Sequence, residues 1–235
     1  EADPILKAAR TLEAVMNGNG SPQDDEAPSL TGRLSVTTTD STYMAGVSEM
    51  IDAFQRHHPS MIIDLTVTNR KLLLDRLEAD VAIRPSDAPP EHFVGRRVCD
   101  LAFGVYASRA YVENNPGLRR DEHDWLAVAD SMLASAPGRW MEAFVPPERR
   151  VLRADSFIAL AEACRLGRGA AMLPRAYASR LPDLLPLDHL MDAPHATGLW
   201  LLTHAEMKNN PRVRAFVDHM WKRMTRAKKR FTGEK

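Results

Sequence analysis

The stretch Glu78-Ala79-Asp80-Val81-Ala82-Ile83-Arg84 decides the fold. Two carboxylates lead into the apolar run Val81-Ala82-Ile83, and an arginine closes it. A short uninterrupted apolar run rich in β-branched residues reads as a strand covered on both faces, the usual condition of a parallel sheet. Ligands of open parallel sheets collect outside the carboxyl ends of the strands. Arg84 stands at such an end and is the first candidate for a ligand contact.

Upstream, Asn69 to Leu77 reads as a helix with Leu72, Leu73 and Leu77 inward, and Met61 to Val67 as a strand. Residues 41–57 place Met44, Val47, Met50, Ile51 and Phe54 on one helical face, and Pro59 ends the helix. Arg33 to Thr39 is β-branched and extended. The order is β-α-β-α-β, which requires a parallel sheet with right-handed crossovers. Still earlier, residues 4–16 carry a loose apolar helical stripe, and Ser21 to Thr31, with Asp24-Asp25-Glu26 between two prolines, has linker composition.

Downstream of the Pro85–Pro90 loop, Arg96 to Tyr106 is a long extended segment, after which a second cycle begins. Its predicted elements are a helix at 110–114, a strand at 125–129, a helical turn at 139–144, a strand at 150–154, a helix at 156–166, a strand at 170–173 and a short helix at 175–180. A strand at 199–202 leads back to the first unit, and a final helix starts near Pro211 with Val213, Phe216, Val217, Met220, Trp221 and Met224 facing the core. The cations Lys222, Arg223, Arg226, Lys228, Lys229 and Arg230 at its end suit the helix macrodipole, or else contact DNA or a partner.

The bulk numbers narrow the function. The chain has 235 residues, 44% of them apolar, enough for one large core or two modest ones. Its 31 basic and 31 acidic residues cancel, which gives no electrostatic case for wrapping nucleic acid by itself. Cys99 and Cys164, both in apolar surroundings, read as buried inert thiols of a reducing compartment. No apolar run approaches the roughly 20 residues that span a bilayer, and the start Glu1-Ala2-Asp3-Pro4 lacks the basic and apolar regions of a signal peptide. It also lacks an initiator Met, consistent with a fragment or processed form. No phosphate loop, HExxH or nucleophile elbow is present, and none of the eight histidines has ligand spacing with the cysteines. A non-enzyme with no metal and no cofactor is expected.

Six pieces, in order, carry a family resemblance: Leu30-Thr31-Gly32-Arg33-Leu34; Phe54-Gln55-Arg56-His57-His58-Pro59; Ala79-Asp80-Val81-Ala82-Ile83-Arg84; Val94-Gly95-Arg96-Arg97; Val105-Tyr106-Ala107-Ser108; and Gly167-Arg168-Gly169-Ala170-Ala171-Met172-Leu173-Pro174. From about Leu30 to Phe231 the chain resembles the effector-binding domain of LysR-type transcriptional regulators. The resemblance implies an α/β fold of two Rossmann-like lobes joined by two crossover strands, like a type 2 periplasmic binding protein. Lobe I is expected at 32–104 plus 203–235 and lobe II at 105–202, with 1–31 a remnant linker helix and flexible linker. It implies a cytoplasmic protein, a homodimer or homotetramer with no membrane contact, that reaches DNA only through an N-terminal winged helix-turn-helix that this stretch does not contain.

The expected site is the cleft between lobes. Ser41, Asn69 and Ser156 each open a helix toward it, and each is also a favoured N-cap, so capping alone can explain them. The family uses the position matching Ser41, here flanked by Thr38, Thr39, Asp40 and Thr42. Arg84 and Ser86 lie beside it, and Asp130, Ser131, Phe157 and Leu173 are expected on the opposite wall. Arg84 clamps a carboxylate through two hydrogen bonds, or forms a structural ion pair with Asp87 or Asp40. Asp40 would repel an acidic effector unless Arg84 neutralises it, so a carboxylate and a zwitterion both stay open. The rival readings are a solute-binding protein of a transporter, an enzyme, and an interaction module that pairs through the first-lobe helix and strand.

Overall fold

Strand β1 (Gly32–Thr38) is the centre around which the first lobe is built. In the computed structural model, which describes residues 30–69, 79–89 and 93–233, it pairs in parallel with β2 (Met61–Val67) on one side and β3 (Val81–Ser86) on the other. Leu34, Val36, Val81, Ala82 and Ile83 are almost fully buried, as the uninterrupted apolar run predicts. The helix expected at 4–16, most of the 21–31 linker and the helix expected after Asn69 lie outside the described residues.

The helix expected at 41–57 is not one regular helix. It starts with α1 (Asp40–Thr42), widens into a π-helical stretch at Tyr43–Val47, and resumes as α2 (Ser48–His57). Gly46 sits in the wide turn at φ 132°, a conformation side chains with a Cβ rarely adopt. The added width breaks the 3.6-residue phase. Met44, expected in the core with Phe54, is therefore 42% exposed, while Val47, Met50, Ile51 and Phe54 stay buried.

Two long strands tie the halves together. β4 (Phe93–Ser108) runs for 16 residues and pairs antiparallel with β9 (His195–His204), both longer than the sequence indicates. A bulge between Arg97 and Cys99 shifts their register, and β-bulges bend and twist a strand. β9 also borders β3, and the far half of β4 borders β7 (Ala171–Pro174) and β8 (Leu184–Pro186).

The second lobe repeats the plan of the first. β5 (Trp125–Val128) pairs in parallel with β6 (Arg150–Ala154) and bridges in parallel to Ala170, just ahead of β7. Each lobe thus has three parallel strands with the earliest in the middle, completed by one antiparallel crossing strand, β9 in one lobe and β4 in the other. The helices α3 (Arg109–Asn114), α4 (Ala136–Phe144), α5 (Phe157–Arg165) and α6 (Arg175–Ala178) belong to this second cycle. Trp125 and Trp140 pack with ring centroids 5.2 Å apart in its core.

The chain returns to the first lobe through α7 (Pro211–Arg226) and α8 (Lys228–Thr232). Val213, Phe216, Met220 and Met224 are buried, and Phe216 meets Phe54 edge-on at 5.0 Å. Val217 and Trp221, expected inward, are only half-buried, and Arg96 stacks over Trp221 at 5.2 Å. Among the terminal cations Arg230 has a structural task, reaching back to Glu49 and the carbonyl of Ala45. Both cysteines are free and buried, and burial pushes the thiols up to about 11 for Cys99 and about 12 for Cys164, where a thiolate nucleophile is absent at neutral pH. Among the described residues no helix is long and apolar enough to cross a membrane.

Candidate functional site

The carboxyl ends of β1 and β3 meet the crossing strands and the second lobe around a cavity of about 250 Å³. Thr39, Ser41, Asn69 and the Arg84–Ala88 segment line it from the first lobe, Leu101, Phe103, Thr197 and Leu202 from the crossing strands, and residues of 131–136 with Phe157 from the second. The volume lies below the roughly 300–1,000 Å³ of drug-sized sites, so it suits a small metabolite.

Arg84 is the cation of this wall. Its side chain comes off β3 beside β1, 4% exposed, and Nη2 donates to the carbonyl of Thr68 at 2.9 Å. Removal from water lowers the guanidinium to about 10, so it remains charged near neutral pH and gains from a nearby anion. Thr39 Oγ1 donates to Thr42 Oγ1 at 2.7 Å, and Asn69 Nδ2 donates to the carbonyl of Asp155 in the second lobe at 2.8 Å. Asn69 Oδ1 is buried without a hydrogen-bond partner among the described residues.

The opposite wall mixes apolar side chains with the hydroxyls of Ser131 and Ser135. Phe103 and Phe157 stand 6.1 Å apart by ring centroids, and Leu101 and Met132 are buried beside them. At the rim, Asp87 accepts from Thr197 Oγ1 at 2.6 Å and from Arg139 at 2.8 Å, joining β3's loop to α4.

Of the twelve expected site residues, Thr39, Ser41, Asn69, Arg84, Ser86, Ser131 and Phe157 reach the cavity wall. Five do not. Thr42 lies a turn into the helix, bonded to Thr39. Asp130 points to solvent and pairs with Arg153. Leu173 is fully buried in β7. Asp40 and Ser156 are spent on each other: Ser156 Oγ donates to Asp40 Oδ2 at 2.7 Å, and the Ile158 amide donates to the same oxygen at 3.4 Å. The Asp40–Arg84 ion pair held open by the sequence is therefore not formed.

The helix starts also need correction in part. Ser156 caps α5, accepting from the Ala159 amide at 3.1 Å. Ser41 is not a cap: the residue before α1 is Thr39, and Ser41 sits inside the first turn, its amide donating to Asp40 Oδ1. Leu101, Phe103 and Thr197 were missed because they lie on the crossing strands. The alternation Leu101-Phe103-Val105 is the sequence signal that could have placed one face of β4 on the cleft.

Residues 27–225 match the family described as LysR substrate binding domain. A curated relative, an HTH-type transcriptional regulator of Xanthomonas campestris pv. campestris (strain 8004), is 29% identical over 107 residues, covering 46% of this chain and 30% of that protein. The chain thus spans less than a third of that relative's length. The fold is similar to the regulatory domain of CrgA, a LysR-type transcriptional regulator from Neisseria meningitidis, with TM-score 0.71 and 18% identity over 83% of this chain and 100% of that one. The full-length virulence activator AphB of Vibrio cholerae gives TM-score 0.67 and 19% identity over 92% of this chain and 74% of that one. The AmpR effector binding domain from Citrobacter freundii gives 0.68 and 14%, over 83% and 100%. With a family match across most of its length and the two-lobed architecture that goes with it, the chain belongs to the LysR substrate binding domain family.

Proposed function

We propose that this chain is the effector-sensing domain of a LysR-type transcriptional regulator, binding a small polar metabolite in the interlobe cavity and performing no chemistry on it. The observation that carries this reading is the buried guanidinium of Arg84 on the wall of a small two-sided cavity, with the Ser41 and Thr39 positions beside it. A guanidinium on a cavity wall recognises anionic groups through charge-assisted hydrogen bonds. The transporter rival is less well supported, because the family match and the solved relatives are regulators.

The boundary expected at 203 falls inside β9, whose residues 198–203 pair with β3 of the first lobe, and the far half of β4 pairs with β7 of the second, so a change in the angle between lobes is felt in both crossing strands. A ligand that prefers one lobe arrangement shifts the population toward it. The shift then passes through a homodimer or homotetramer to the DNA-binding part of the parent protein. The exposed Ile62 and Val67 of β2 are the apolar candidates for the pairing face, at 53% and 43% exposure.

The test is a thermal-shift screen of the purified chain against small carboxylates and amino acids, since a ligand of the native state stabilises it by mass action. A hit whose stabilisation disappears in Arg84→Ala and Ser41→Ala supports the site. Unchanged affinity in both variants removes it.

A further inference from the structure

We propose that the groove between α2 and the end of α7 is a second ligand site, for a small anion carrying two or more charges. None of the residues that line it lines the interlobe cavity, so it stands apart from the effector-site reading above.

Helical spacing builds the groove. His219, Lys222, Arg223 and Arg226 stand at i, i+3, i+4 and i+7 of α7, which places them on one face. Phe216, Met220 and Met224 bury another face of the same helix. Phe54 of α2 meets Phe216 at 5.0 Å and His219 at 5.3 Å, and this packing sets the stripe beside Glu49 and His57 of α2. Arg230 of α8 reaches the same space, which measures about 700 Å³.

Four cations, Lys222, Arg223, Arg226 and Arg230, thus share this space with one carboxylate. That carboxylate is already taken. Glu49 accepts from Arg180 at 3.0 Å and from Arg230 at 3.2 Å, and the two guanidiniums hold it below the usual carboxylate range. Lys222, Arg223 and Arg226 are exposed and have no carboxylate within ion-pair distance among the described residues. Arg97, Arg139, Arg165 and Arg175 each have one.

Cations in a last helical turn suit the macrodipole, which accounts for Arg223 and Arg226 singly. It does not account for their crowding: Arg226 lies one turn from both Lys222 and Arg223, where like charges repel, and Arg230 arrives from a separate helix. The crowding is felt at His219, whose proton is disfavoured first by burial and then by Arg223, His57 and His58. His219 spends Nε2 on the carbonyl of Met50 at 3.1 Å and His57 spends Nδ1 on that of Ala53 at 2.7 Å, so each ring keeps a second nitrogen. A bound polyanion relieves the repulsion and gives these donors an acceptor.

The stripe from His219 to Arg226 is only about 10 Å long, and the 31 acidic residues of the chain balance its 31 basic ones, so no extended positive track for a duplex exists. A monoanion engages one guanidinium fork and leaves the other cations repelling. Charges spread over several oxygens take donors from more than one helix.

The experiment is calorimetric titration of the full chain with pyrophosphate, citrate and acetate at about 0.1 M salt. At least one of the two polyanions is expected to bind with a dissociation constant below about 1 mM, and acetate at least about tenfold more weakly. The pyrophosphate and citrate arms separate a phosphate-bearing ligand from a polycarboxylate. Arg223→Gln and Arg226→Gln should each weaken the tighter polyanion about fivefold, one exposed charge contact apiece, and together about twentyfold. Lys228→Gln with Lys229→Gln removes as much exposed charge from positions outside the groove and should cost less than about twofold.

Failure of both polyanions to bind at millimolar concentration overturns the proposal. An equal loss in the Lys228 and Lys229 double variant also overturns it, because a diffuse field would then explain the binding. Acetate as tight as the polyanions does the same. If binding survives Arg223→Gln with Arg226→Gln but is lost in Arg84→Ala, the anion belongs to the interlobe cavity and the groove is no site. A short DNA duplex that displaces the polyanion at lower concentration than the polyanion itself requires would make this face a nucleic-acid contact and end the small-ligand reading.

Discussion

The carboxylate of Asp40 in the first lobe and the hydroxyl of Ser156 in the second are 2.7 Å apart, and this bond closes one side of the cleft. The same hydroxyl accepts from the Ala159 amide, so one side chain both caps a helix and joins two lobes. Removing it takes away a cap, worth about 1 kcal/mol, and leaves a largely buried carboxylate short of a donor, at a further cost of roughly 1–3 kcal/mol. Ser156→Ala is therefore expected to lower the unfolding free energy measured in urea by roughly 2–4 kcal/mol. In a double-mutant cycle with Asp40→Ala, which removes the acceptor, the losses should be clearly less than additive. Strict additivity would show that the two groups do not act together.

Arg84 should matter more for binding than for folding. A buried cation replaced by an apolar chain of similar length loses its hydrogen bonds, that to Thr68 among them, but also sheds a desolvation penalty. Arg84→Met is expected to change stability by less than about 2 kcal/mol while removing effector stabilisation. A variant that unfolds outright would assign Arg84 to the core instead of the site.

His123 predicts a pH dependence. It is buried among Tyr111 and Trp125, and burial lowers its pKa from the usual 6.5. The unfolded chain then binds the proton more readily than the folded one below pH 6.5, so stability rises with pH through that window and falls on acidification. His219, lowered by burial and then by Arg223, His57 and His58, acts in the same direction. Unfolding midpoints measured from pH 7 to 5 should decline, and His123→Phe should flatten the decline without abolishing it. An unchanged slope in that variant would acquit His123.

Among the described residues β2 is the outer strand of its sheet and leaves Ile62 exposed, and an outer strand with apolar side chains is a surface for pairing with another chain. Ile62→Asp is expected to shift sedimentation toward a monomer while leaving the circular dichroism spectrum unchanged. An unaltered oligomer would move the pairing face elsewhere.

Much of this architecture is local chemistry written along the chain. Val81-Ala82-Ile83 is a buried strand because three consecutive apolar residues have no solvent face to offer. Ser156 is a cap because a short hydroxyl ahead of an apolar helical run has a backbone amide within reach. These decisions depend on neighbours a few residues away, and the order of strands and helices in both cycles follows from them.

Other features could be settled only by groups distant in sequence. Asp40 reads beside Ser41 as a ligand contact, yet its partner is Ser156, 116 residues on, and that partner turns it from the cavity. Phe103 and Thr197 belong to the cleft because β4 and β9 cross between lobes, a fact of topology that no single window contains. Met44 is exposed because a π-helical turn at Gly46 shifts the helix phase, which the regular 3.6-residue pattern of the sequence conceals. The sequence determined where strands and helices form, since hydrogen bonding and hydrophobic period act over short range. Which side chains share the cavity was decided by the folded chain, because desolvated charges take the nearest partner in space.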